Sequence, residues 1–121
     1  MEDVQIILSG LWVSLMLTYL LGDVMRIFAG DFVAGEMDGE EATQAMWMGA
    51  AVLMLIPIAM IPITLILPYP VNGWLNIISA AFLFLFNLAG VRSYPGYYDR
   101  FLIVVGLLFN VLTVWYALSW I

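Results

Sequence analysis

Residues 44–67 read QAMWMGAAVLMLIPIAMIPITLIL, and they pass without one Asp, Glu, Lys, Arg or His. The hydrocarbon core of a bilayer is roughly 30 Å thick, and a helix rising about 1.5 Å per residue crosses it in about 20 residues. The stretch therefore predicts a membrane-spanning helix. Pro57 and Pro62 lie inside it. A proline removes a backbone donor and kinks a helix, and a membrane helix tolerates this where neighbouring helices or side chains satisfy the freed carbonyls. Working outward, three more apolar stretches occupy about 4–28, 74–91 and 101–120. The four spans and their short connections use nearly all of the 121 residues. The expected fold is all-α: one transmembrane domain over 1–121, an integral membrane four-helix up-down-up-down bundle.

Composition agrees. The chain is 65% hydrophobic and 10% charged, where soluble domains carry about 25% charged residues. A soluble domain this small has too little interior to hide that apolar surface. There is no Cys and no His, which removes disulfides, thiol nucleophiles, Ser-His triads, His-ligated haem and zinc sites built on either residue. No cofactor and no metal is expected. The net charge of −6, with three Arg and no Lys, lacks the basic footprint that nucleic acid requires. Glu2 and Asp3 stand where a cleaved signal peptide would be positive, so none is expected.

The connection from Ala29 to about Thr43 holds Asp31, Glu36, Asp38, Glu40 and Glu41. Asp38 followed by Glu41 reads as a capping box, starting the second helix near Gly39. The segment lacks the spacing of a calcium loop and reads as a solvated acidic loop. Pro68-Tyr-Pro70-Val-Asn-Gly73 reads as a tight turn and Arg92 to Arg100 as the last loop. Trp47, Tyr69, Trp74, Tyr94, Tyr97, Tyr98, Trp115, Tyr116 and Trp120 gather near span ends, where amphipathic rings meet the headgroups. Four spans put both termini on one side and Arg26, Arg92 and Arg100 on the other. The positive-inside rule would make the Arg side cytoplasmic, on a thin count that leaves the orientation open.

Several polar or small residues recur at helical spacing. Asn76, Ala80, Leu83 and Asn87 share one face, and Gly106, Asn110, Thr113 and Ala117 repeat the same offsets. Gly10, Ser14, Thr18 and Gly22 form a stripe on the first helix, and Ala45 with Gly49 a small pair on the second. Membrane helices associate through small residues and interhelical hydrogen bonds, so these stripes are expected to face inward and knit the bundle. The alternative has Asn76, Asn87 and Asn110 lining a ligand cavity or permeation path. Tyr19, Asp23 and Arg26 share a face near the end of the first span. An intramembrane charge suggests a functional site, but at this depth an ion cluster of Asp23 with Arg26, Arg92 or Arg100 competes with a proton or ion relay. The methionines read as flexible packing.

Short strings then carry a resemblance: Leu8-Ser-Gly-Leu-Trp12, Tyr19 with Asp23, Ile56-Pro-Ile-Ala-Met60, Trp74-Leu-Asn-Ile-Ile78 and Tyr97-Tyr98. Together they resemble a family of small prokaryotic four-span membrane proteins known as a domain of unknown function, and more distantly DoxX-like four-helix proteins. In that family's pattern an acidic residue precedes Ile-Pro-Ile, whereas Leu55 stands here. Any chemistry resting on that acid would be missing. The resemblance supplies no function.

No nucleophile–base pair is visible, so no catalytic residue is assigned and an enzyme is not expected. The expected protein is a non-enzymatic multi-pass bundle of the cell membrane. It acts through self-assembly as a homo-oligomer, or as an accessory subunit beside other membrane protein subunits, with membrane lipids around it. The alternative is a small transporter or channel in which Asp23, Arg26, Asn76, Asn87 and Asn110 form the polar site. An enzyme acting on lipid or quinone ranks third.

Overall fold

The computed structural model describes residues 2–37, 40–91 and 96–121. Among these residues the regular structure is four α-helices and one minimal ladder. The helices are α1 (Asp3–Ala29), α2 (Gln44–Ile66), α3 (Val71–Gly90) and α4 (Tyr97–Trp120). All four are long and apolar enough to cross a membrane. α1 and α4 start and end at or beyond the apolar limits read from sequence, while α2 and α3 stop one residue short of theirs at the C-terminal end.

At the start of α1, the Glu2 amide donates to Gln5 Oε1 at 2.9 Å while the Glu2 side chain caps in return. The helix ends at Gly30, whose φ of 78° reverses the chain. Only glycine takes that left-handed turn without steric penalty. The Asp31 amide then closes onto the Arg26 carbonyl at 3.0 Å. In the acidic connection β1 (Glu36–Met37) pairs antiparallel with β2 (Glu40–Glu41). This corrects the expected helix start near Gly39. Glu40 and Glu41 are extended, and α2 begins at Gln44, where the Thr43 hydroxyl accepts the Met46 amide at 3.2 Å. Asp38, the first half of the expected capping box, lies outside the described residues.

The turn after α2 is also shorter than expected. Val71, Asn72 and Gly73 already belong to α3, with the Asn72 amide donating to the Pro68 carbonyl at 3.1 Å and the Trp74 amide to that of Pro70 at 3.2 Å. Likewise Tyr97 to Arg100, read as loop, form the first turn of α4, whose Arg100 amide donates to the Gly96 carbonyl at 3.2 Å. Arg92 and Tyr94 lie outside the described residues.

The core centres on Trp12, Leu15, Met60, Ala80 and Leu83. The two inward faces expected on α3 and α4 are there: Asn76, Ala80 and Leu83 are buried with Asn87 partly so, and Gly106, Asn110, Thr113 and Ala117 are all buried. Gly106 lets α1 come close, since a Cβ there would lie 3.3 Å from the Tyr19 ring. The small-residue stripes of α1 and α2 behave differently. Gly10, Ala45 and Gly49 are exposed and Ser14 and Thr18 only half-buried, leaving Gly22 alone of its stripe inside. The inward face of α1 is instead Gln5, Leu8, Ser9, Trp12 and Leu15. Large and polar groups fill that face, where Gln5 and Ser9 bond to α2 and Trp12 reaches α3.

Candidate functional site

The polar interior begins with a consequence of proline chemistry. In an α-helix the Thr64 carbonyl would accept from residue 68, but Pro68 has no N–H. Two side chains substitute for it: Gln5 Nε2 donates to Thr64 O at 3.2 Å and Asn72 Nδ2 at 2.6 Å. Asn72 Nδ2 also reaches Leu67 O at 3.1 Å. One turn earlier on α2, the Ser9 hydroxyl donates to Ile61 O at 3.1 Å. Pro68 thus leaves the Thr64 carbonyl without its helical donor, and α1 and α3 are both anchored on it.

Asn76 completes this clasp. Its Oδ1 accepts from Trp12 Nε1 at 2.6 Å and from Thr64 Oγ1 at 3.4 Å. Its Nδ2 donates to Asn72 O at 2.9 Å and to Asn72 Oδ1 at 2.8 Å. The two donors and two lone pairs of the amide are all used. Trp12, Thr64, Asn72 and Asn76 are fully buried, so this region is a closed knot joining three helices, in which the Asn76 amide has no free valence.

The other two asparagines lie elsewhere. Asn87 Nδ2 donates to the Tyr19 hydroxyl at 2.6 Å and to Leu83 O at 2.8 Å. Asn110 is 0% exposed, yet neither its amide nitrogen nor its oxygen has a hydrogen-bond partner. Its side chain lies beside the Tyr19 hydroxyl. The structure thus divides the three expected site residues: Asn76 in the knot, Asn87 and Asn110 around Tyr19.

At the far end of α1, Arg26 pairs with Asp23 and lies 3.6 Å from Asp99 of α4. The Asp23 side chain is 52% exposed, that of Asp99 only 6%. Tyr98 donates to Asp31, tying the connection after α1 to α4. Asp99, Asn72 and Gln5 were not singled out by sequence. Asp99 was hidden by its place in an apparent loop and Asn72 by its place in an apparent turn. Gln5 is found once Pro68 is seen to orphan the Thr64 carbonyl.

Grooves open on the described surface in at least two places. One, about 420 Å³, lies where the chain ends meet, among Glu2, Asp3, Val4, Ile7, Tyr116, Ser119 and Trp120. There Trp120 Nε1 donates to Glu2 Oε2 at 2.7 Å. The other, also about 420 Å³, runs between α3 and α4 with almost wholly apolar walls, and includes Asn110. Among the described residues no three Asp or Glu converge as a metal site would require.

The whole chain, residues 1–121, matches the family model described as "Family of unknown function (DUF6326)", in keeping with the resemblance carried by its short strings. No curated protein and no solved structure matches it.

Proposed function

We propose, for a chain that belongs to the family of unknown function DUF6326, that it is a non-enzymatic multi-pass membrane bundle working through assembly. The partner is a second copy or a larger membrane complex in which this chain is a small accessory subunit, and the cell membrane is the proposed location. One observation carries the reading: Gly10, Ala45 and Gly49 point outward, and a Cβ at Gly10 or Gly49 would meet nothing within 4 Å. Small residues facing lipid give another helix a shallow seat for close backbone approach, which is how membrane helices associate where lipid is as apolar as they are. The knot around Asn76 supports the same reading, since its polar groups hold the chain together and present nothing to a substrate. Native mass spectrometry from mild detergent tests it. Defined oligomers or a co-purifying membrane subunit are expected; a strictly monomeric species without partner overturns it.

Transport is the second reading, favoured by the unpartnered Asn110 amide beside Tyr19 and Asn87, between the Asn76 knot and the Arg26–Asp99 end. In that reading Asp23 and Arg26 form the charged mouth. Flux of a permeant ion into liposomes that falls with both Asp23→Asn and Asn110→Leu supports it; flux indifferent to both removes it.

A further inference from the structure

Helix α2 changes character at Pro57. The side-chain hydrogen bonds that tie it to other helices fall at Met60 and beyond: Ser79 donates to Met60 Sδ, Ser9 to Ile61 O, and Gln5 and Asn72 to Thr64 O. Its buried residues are Pro57, Met60 and Thr64. Before Pro57 none is buried, and residues 44–49 are all exposed. Six consecutive residues take in the whole circumference of a helix, so the first turns of α2 have no neighbour in the chain. The backbone is weakened at the same boundary. Pro57 has no N–H for the Leu53 carbonyl, the bond that would carry the helix across it. The Thr64 carbonyl, orphaned likewise by Pro68, is clamped by two side chains from other helices; the break at Leu53 lies outside that clamp.

We propose that residues 44–56 form a hinged arm that swings about the Leu53–Pro57 break and opens the flank of the bundle beside Tyr19 and Asn87. Gln5 on Thr64 and Ser9 on Ile61 set α1 and α2 antiparallel. Tyr19 stands ten residues beyond Ser9, which brings it level with the arm. Leu53 and Ile56, at the root of the arm, pack on the same buried cluster as Tyr19. The hydroxyl of Tyr19 accepts from Asn87, itself only partly buried, so a swing outward uncovers this bond first. Kinks above about 20° are usual at a proline, and Ala45 lies about 18 Å along the helix from Pro57. A swing of that size moves Ala45 by about 6 Å. The arm belongs to the chain itself and rests on neither the assembly reading nor the transport reading.

Pulsed electron paramagnetic resonance on nitroxide pairs tests this, with the full chain in nanodiscs holding one copy each. The chain has no native cysteine, so labelling cysteines can be placed in pairs. Ala45 with Leu88 spans the arm and α3. Leu65 with Ile78 spans the clamped half of α2 and α3, and Val24 with Phe101 spans α1 and α4 at the arm's end of the bundle. All six positions are exposed. The Ala45–Leu88 distances should be spread more widely than the other two sets by about 6 Å, or form two peaks about that far apart. Pro57→Ala returns a donor to the Leu53 carbonyl and should narrow the spread to that of the other pairs. A narrow Ala45–Leu88 distribution overturns the proposal. So does equal breadth for Val24–Phe101, which is general looseness at that end rather than a hinge in α2. An unchanged spread in a folded Pro57→Ala protein overturns it as well; if that variant does not fold, the three pairs in the parent chain decide.

Discussion

Replacing Asn76 by Leu keeps the branched shape and the number of side-chain heavy atoms and deletes four hydrogen bonds at once. Trp12 Nε1 and Asn72 Oδ1 lose a partner inside a fully buried region. Two of the deleted bonds, from Trp12 and from Thr64, cross between helices. Interhelical hydrogen bonds in membranes average about 0.6 kcal/mol, which gives about 1.2 kcal/mol for the pair. The stranded Trp12 donor adds about 1–2 kcal/mol, bringing the expected loss to about 2–3 kcal/mol. Trp12→Phe removes that donor, so the double variant Trp12→Phe/Asn76→Leu should be more stable than the sum of the two single losses by about 1 kcal/mol. Reversible unfolding by denaturing detergent in mixed micelles measures all three. A loss below about 0.5 kcal/mol for Asn76→Leu, or strict additivity in the double variant, would refute the knot as a cooperative unit.

Other outcomes follow from the same contacts. Gly106→Val drives side-chain atoms into the Tyr19 ring and should cost about 1–3 kcal/mol, whereas Gly49→Val meets open space and should change chain stability by less than about 0.5 kcal/mol; paired unfolding curves decide between them. Arg26→Met removes the Asp99 contact and should destabilise by about 1–2 kcal/mol, reduced from a fully buried pair because Arg26 is partly solvated. Asp99→Asn in that background should restore part of the loss. Thr43→Ala should cost about 1 kcal/mol at the start of α2, seen as faster hydrogen exchange at the Met46 amide.

Lipid as the solvent made the four helices legible, since long uncharged stretches leave the backbone no alternative. The inward faces of α3 and α4 were legible because asparagine in a span turns away from lipid, and periodicity shows where. The faces of α1 and α2 were misread for a physical reason: small residues serve equally well inside a chain or between chains, and spacing alone does not distinguish these. Gln5 and Asn72 escaped because their task is set by Pro68, a residue that acts through a missing donor on a carbonyl four positions earlier. Asp99 escaped because helix α4 starts a turn before its apolar stretch, where polar residues still look like loop.

The chain has no cysteine, so single cysteines placed at Gly10, Gly49 and the exposed Leu88 of α3 report contact between copies in native membranes under mild oxidation. Efficient disulfide-linked dimers at Gly10 or Gly49, with little at Leu88, are the expected result for self-assembly through the outward small residues. Monomer at both glycine positions with no membrane subunit captured there, or equal cross-linking at all three, would contradict it.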